Sequence, residues 1–257
     1  MKPIVITALY DIGRSDWKDF AQSYHTYLHW MQRALSLKCE MVIFTESKFE
    51  EEIRKMRSSA DPDDTMTKYV INTIEDLEAH KVWFSKMEHV MSNEPFLSKR
   101  HWDHVPEMNY PLYNIVMFNK IFFLNEAKKL YNDASHLIWV DAGGIREDMD
   151  YSNSWPNTDK LELNKIMHFS HHVPFNIDDP EYHTLSQQRY IQGGAFVCPS
   201  HMLDWYMNEI HKTIGFCLDR HFIGSDEKIF DLTYLRDTEN FALVKHGWRE
   251  YYKWLGT

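Results

Sequence analysis

A chain of 257 residues with 44% hydrophobic and 15% aromatic side chains can bury a large core, which excludes a disordered protein and suits one sizeable domain. Its 38 acidic against 28 basic residues give a formal charge of −10, so the overall field does not attract nucleic acid, and a phosphorylated ligand must find positive charge locally. No apolar run approaches the roughly 20 residues of a membrane-spanning helix, and Cys39, Cys198 and Cys217 are too scattered for a disulfide framework or a cysteine zinc site.

The opening residues 1–10 turn polar too soon for a signal peptide and read as a first strand, so a cytoplasmic, reducing location is expected. Cys198 and Cys217 then pack as small hydrophobes. After the strand at 4–10 comes a loop, Asp11 to Arg14. Ser15 is placed as the N-cap of a helix over about 17–37, with Phe20, Tyr24, Tyr27, Met31 and Leu35 near helical spacing. A second strand follows at 40–45 and a charged helix at 48–57. Beyond the breaker-rich loop 58–64, residues 66–92 predict one long amphipathic helix, and 93–110 an irregular stretch. A helix over 113–130 precedes a strand at 137–141, and 146–156 reads as a polar loop. The remaining expectations are strands at 166–169 and 190–198, helices at 201–216 and 225–235, and a last strand at 241–245. Strands alternating with helices are the signature of a layered α/β sheet. With no repeat, low-complexity tract or linker, residues 1–257 form a single domain.

The most informative stretch is His136-Leu-Ile-Trp-Val-Asp-Ala-Gly-Gly144. A buried apolar strand ends on Asp141 and then on small residues. A carboxylate there, beside glycines that let a ligand approach the backbone, is placed to hold a divalent cation and a phosphate. The same residues also read as an ordinary Asp-containing turn. Tyr10-Asp11, Asp141-Ala-Gly143 and His246-Gly-Trp248 all follow a predicted strand, and in open α/β sheets the ligand sits at those carboxyl ends. Arg14 suits bidentate bonds to a diphosphate or a surface pair with Asp16. Lys120 reaches the same edge from the helix before Asp141, or is a solvated helix lysine. His246 is the natural second metal ligand, and imidazole with carboxylate suits Mn²⁺.

Gln192-Gly-Gly-Ala195 permits close approach to the backbone, or forms a β-bulge; the two readings are compatible. Ser225 reads as an N-cap, with Asp226 and Glu227 either dipole-favoured first-turn residues or carboxylates that reach an acceptor hydroxyl. His168, His171 and His172 read as a surface or substrate-lining loop ahead of a zinc site. No Gly-x-Ser-x-Gly, Walker loop or Gly-x-Gly-x-x-Gly occurs, which argues against hydrolase, P-loop and dinucleotide chemistry.

Ile4-Val-Ile-Thr-Ala-Leu-Tyr-Asp-Ile-Gly-Arg14, Trp139-Val-Asp-Ala-Gly143, Gln192-Gly-Gly-Ala195 and Ser225-Asp-Glu227, in that order, resemble the HtrL/YibB family, which belongs among the GT-A-type glycosyltransferases. The resemblance covers residues 4 to about 250. It implies a single GT-A-like, Rossmann-like domain whose central, mostly parallel sheet is flanked by helices. It implies transfer of a sugar from a nucleotide-diphosphate donor, UDP ahead of GDP by analogy, to a glycan or other hydroxyl acceptor, assisted by Mn²⁺ or Mg²⁺. By position, Thr7, Tyr10, Asp11 and Arg14 would lie against the donor, with Lys120, Asp141 and Gly143. Asp141 matches the first Asp of Asp-x-Asp, and His246-Gly247 resembles the C-terminal metal motif of glycogenin-like enzymes. Gly193-Gly194 would line the acceptor, and Asp226 and Glu227 would supply catalysis. Gly143 replaces the second Asp, which leaves Asp141, His246, diphosphate oxygens and water to hold a metal. The competing class is a non-catalytic nucleotide- or carbohydrate-binding protein on the same fold; a metal-dependent phosphohydrolase is disfavoured by the lack of a carboxylate cluster. A base among Asp226 and Glu227 favours inversion, whereas the His246-Gly247 match favours retention. Inversion is expected, because the base argument rests on chemistry.

Overall fold

The computed structural model describes residues 1–146 and 155–257. Seven strands form one sheet: β1 (Pro3–Leu9), β2 (Met41–Thr45), β3 (Thr67–Ile71), β4 (His136–Val140), β5 (Ile166–Ser170), β6 (Ile191–Pro199) and β7 (Phe241–Lys245), in the order β3-β2-β1-β4-β6-β5-β7. Every neighbouring pair is parallel except those made by β6, which runs antiparallel to both β4 and β5. The carboxyl ends of β1, β4, β5 and β7 therefore share one edge with the amino end of β6.

The helices are α1 (Tyr24–Leu35), α2 (Ser47–Arg57), α3 (Glu78–Ser92), α4 (Glu94–Lys99), α5 (Pro111–Phe118), α6 (Lys120–Leu130), α7 (Pro180–Leu185), α8 (Leu203–Asp219), α9 (Asp226–Arg236) and α10 (Glu250–Gly256). Alternation along the strands sends side chains to two cores. Ile4, Ile6, Phe44, Leu137, Trp139, Phe196 and Cys198 pack with α3, α5, α6, α8 and α9, while Val5, Leu9, Ile43, Ile138, Val140, Phe169 and Val197 pack with α1, α2 and α10. The result is a three-layer α/β/α domain with a mostly parallel sheet, as the alternation of elements implied. Cys39, Cys198 and Cys217 are free and buried. Among the described residues no helix is long and apolar enough to cross a membrane.

Four expectations are corrected. The first helix starts at Tyr24, capped by Ser23, whose side chain accepts from the Thr26 N–H. Ser15 does not cap it, because Phe20 takes a positive φ of 57° and breaks the chain between them. The helix expected over 66–92 is a strand, β3, followed by α3: Thr67-Lys-Tyr-Val-Ile71 extends the sheet beside β2, and a tertiary pairing outweighs local helical spacing. The irregular stretch 93–110 contains α4 and a short 3₁₀ turn at Pro106–Met108. The helix expected over 113–130 is two, divided at Asn119, whose side chain accepts from Ala79 N–H and serves the first turn of α3 instead. α7 and α10 were not anticipated. The polar loop expected over 146–156 lies largely outside the described residues.

Candidate functional site

A cavity of about 560 Å³ opens at the sheet edge where β1 and β4 end and β6 begins. Tyr10, Asp11 and Arg14 enter it from the loop after β1. Asp141 and Gly143 enter from the turn after β4, Gly193 and Gly194 from β6, Lys120 from the first turn of α6, and Asp226 and Glu227 from the first turn of α9. The fold thus gathers on one wall residues separated by more than 200 positions in sequence.

The centre of the site is Lys120, which is 1% exposed. Its ammonium donates to the Gly193 carbonyl at 2.9 Å and to Asp226 Oδ2 at 2.6 Å, and it pairs with Asp141 Oδ1 at 2.9 Å. Burial alone would push this ammonium down, but the two carboxylates outweigh that and hold it above its ordinary value. Asp141 Oδ1 also accepts from Trp139 Nε1 at 2.6 Å. Burial pushes the Asp141 carboxyl up, Lys120 opposes that, and Asp226 adds to it. A Cβ on Gly193 would stand 2.6 Å from Asp226 Oδ2, so only glycine lets β6 pass this close to the carboxylate. The β5–β6 ladder also slips here: His168 pairs with Phe196 and Ser170 with Ile191, which leaves the stretch 192–195 opposite Phe169.

Glu227 differs from Asp226. Asp226 is 4% exposed and committed to Lys120. The Glu227 carboxylate opens on the cavity, accepts from Gly193 N–H at 3.3 Å and pairs with Arg189 at 2.9 Å. Burial pushes its carboxyl up to about 7, Arg189 opposes the shift and Asp226 reinforces it. Arg189 in turn pairs with Glu107 and lies 4.6 Å from the Trp102 ring. Ser225, expected as an N-cap, precedes α9 but makes no side-chain cap bond; its buried hydroxyl has no partner among the described residues.

Two expected residues do not reach the cavity. Thr7 is wholly buried in the interior of β1, two residues short of its end, and its hydroxyl has no partner among the described residues. His246 follows β7, but its ring packs beside Phe169 and Trp254, and its carbonyl accepts from Gln192 Nε2. Trp248 and Arg249 from the same loop line the cavity in its place. His168 lies in a strand rather than a loop: its Nε2 meets the Tyr206 hydroxyl at 2.9 Å, and burial pushes its pKa down to about 3, so it is a neutral core residue.

The donors in the cavity fit a resident divalent cation poorly. Asp141 Oδ1 already takes two partners, Trp139 Nε1 and Lys120 Nζ, Gly143 offers no side chain, and His246 does not line the cavity. Among the described residues no group of three His, Cys, Asp or Glu side chains is placed to hold a metal. The ammonium of Lys120 sits between Asp141 Oδ1 and Asp226 Oδ2.

The site also contains residues that the sequence reading passed over. Arg146, Arg189, Arg249, Tyr27, Trp30 and Trp102 line the cavity. Arg146 stands five residues beyond Asp141 and Arg249 three beyond His246, a proximity to the strand ends that was the available signal.

A family model described as HtrL_YibB, bacterial protein of unknown function, matches residues 2–256. The chain belongs to the HtrL/YibB family. Protein HtrL of Escherichia coli (strain K12) is 24% identical to this family member over 266 aligned positions, covering 93% of this chain and 86% of HtrL. Solved structures with a similar arrangement include a glycosyltransferase involved in glycosylation of the major capsid of PBCV-1, at 10% identity and TM-score 0.45 over 95% of this chain and 82% of that one. Galactosyltransferase LgtC in complex with donor and acceptor sugar analogs matches at 9% identity and TM-score 0.46, over 89% and 69% of the two chains. Mouse xyloside xylosyltransferase 1 matches at 11% identity and TM-score 0.47, over 95% and 85%. Likenesses this distant carry no weight in assigning an activity.

Proposed function

We propose that this HtrL/YibB protein is a nucleotide-sugar-dependent glycosyltransferase. One observation carries the reading: one cavity at the switch between parallel and antiparallel strands holds both basic side chains that pair with no carboxylate among the described residues and Glu227, a carboxylate whose pKa of about 7 is matched to neutral base chemistry. An anionic donor sits against Tyr10, Asp11 and Arg14, and Lys120 fixes Asp141 and Asp226 as one wall. Glu227 takes the proton of an acceptor hydroxyl as that oxygen attacks the anomeric carbon and the diphosphate leaves from the opposite face, so the product is inverted. Asp226, expected beside Glu227 as a catalytic residue, acts through Lys120 and positions the wall. Gly193 and Gly194 give the acceptor room against the backbone. The three free, buried cysteines suit a reducing compartment, and the proposal places the protein in the cytoplasm.

The test is a panel of UDP- and GDP-sugars with glycan acceptors, read as release of nucleoside diphosphate. Turnover with one donor supports the transferase and chooses the nucleotide. Tight donor binding with no product across the acceptor panel would overturn it in favour of a binding protein. The anomeric coupling of the product by NMR decides inversion, and cell fractionation decides location.

A further inference from the structure

We propose that Arg14, Arg146 and Arg249 form the diphosphate site, and that they hold the donor without a divalent cation. The proposal rests on the transferase reading for its substrate, but on separate observations for its chemistry. The three arginines reach one cavity from three different loops, after β1, after β4 and after β7. Among the described residues none of them pairs with a carboxylate, whereas Arg54 and Arg189 do. Arg14 is held by the Phe20 carbonyl at 3.0 Å and by the Tyr27 hydroxyl. Arg146 donates to the Gly143 carbonyl at 3.0 Å and lies 3.7 Å from the Trp30 ring centre, and Arg249 lies 4.6 Å from that of Trp248. Neutral partners therefore orient the guanidinium groups, and among the described residues no carboxylate compensates their charge.

That charge converges. Burial first, then the like charges of Arg249 and Arg14, hold the Arg146 guanidinium below its ordinary value. In a protein of net charge −10, bringing like charges together in a partly buried cavity is unfavourable unless an anion joins them. Guanidinium forks match phosphate oxygens bidentately, and two negative charges or more would offset this cluster. The carboxylates of the cavity also fit a metal poorly. Lys120 holds Asp141 Oδ1 and Asp226 Oδ2, so on this proposal the positive charge that a cation supplies elsewhere comes here from fixed side chains. When the bond between the anomeric carbon and the diphosphate oxygen breaks, the electron pair stays on that oxygen. The arginines stabilise it there while the acceptor oxygen forms its new bond and its proton passes to Glu227.

The test is calorimetric titration of the full chain with inorganic pyrophosphate, UDP, GDP and UMP, in EDTA and in Mn²⁺ or Mg²⁺. Pyrophosphate binding in EDTA is expected within about 3-fold of that in Mn²⁺, Arg146→Gln and Arg249→Gln should each weaken it about 10-fold, and UDP or GDP should bind at least about 10-fold tighter than UMP. The affinity should fall with added KCl, a readout that needs no variant if Arg146→Gln fails to fold. Binding that appears only with Mn²⁺, or variants that bind pyrophosphate like the wild type, would overturn the arginine site. Sugar transfer that requires Mn²⁺ would sink this proposal and leave the transferase standing. Pyrophosphate binding in EDTA with no product from any donor would keep the site and remove the transferase.

Discussion

Replacing Lys120 with Met keeps the length of the side chain and removes its charge. The ammonium is 1% exposed and satisfies Asp226, Asp141 and the Gly193 carbonyl. Without it two carboxylates face each other in a poorly solvated site. Removing one partner of a buried ion pair typically costs about 3–5 kcal/mol, and here one group serves two acids. In a chain of this size that corresponds to a fall of roughly 6–20 °C in the melting point. The loss must depend on pH. Uncompensated carboxylates have folded pKa values raised above their unfolded ones, so their contribution to stability is present below the unfolded pKa and lost as pH rises through the folded one. The variant is therefore expected to trail the wild type most at pH 8 and to recover towards pH 5, one proton over that interval being worth at most about 4 kcal/mol. Urea unfolding followed by circular dichroism at both pH values measures this. Lys120→Met combined with Asp226→Asn should regain part of the loss at pH 8. A deficit below about 1 kcal/mol, or one that is equal at both pH values, would refute the account of Lys120 as the counter-charge of this wall.

Glu227→Gln should lower the turnover of sugar transfer by about 10²–10⁴-fold with little change in donor binding. In the wild type the rate should climb with pH through about 7, since the base must be ionised, and a pH–rate profile checks this. Gly193→Ala should cost about 1–3 kcal/mol, because its Cβ collides with Asp226 Oδ2 while Lys120 holds that oxygen in place; thermal melting with and without the Asp226→Asn change reads the coupling. Arg57→Met, remote from the cavity, should destabilise by about 3 kcal/mol or more by orphaning the carbonyls of Leu35, Leu37 and Cys39, and should leave activity per folded molecule unchanged.

The sheet was legible because its strands carry a strong signal. Ile4-Val-Ile-Thr-Ala-Leu, Met41-Val-Ile-Phe and Leu137-Ile-Trp-Val are β-branched or aromatic runs with turn residues beyond them, and each forms a strand. Thr67–Ile71 has the same character but half-exposed side chains, and its flanking residues keep a helical spacing, so the edge strand was read as part of a helix. That Asp141, Gly193 and Glu227 share one edge was legible because strand ends and helix starts place them there, and all three line the cavity. The pairing of Asp141 with His246 was not what the fold provides. Sequence order says that both follow strands, but not that the loop after β7 turns its imidazole towards Trp254 and its Arg249 into the cavity. Arg146 and Arg249 belong to no motif; their nearness to the ends of β4 and β7 was the one signal, and the cavity is where their loops meet that of Arg14.

The reversed strand β6 has a consequence for how the molecule is made. Residues up to 140 already contain β1, β2, β3 and β4, four strands in register, with Arg14 and Lys120 in place. Yet Lys120 has as its buried partners Gly193 and Asp226, which lie far downstream and arrive only when β6 threads in against β4. A nascent or truncated chain thus holds a lysine bound for the interior before two of its three partners exist. The wall around Lys120 is therefore complete only once β6 and the first turn of α9 are in place.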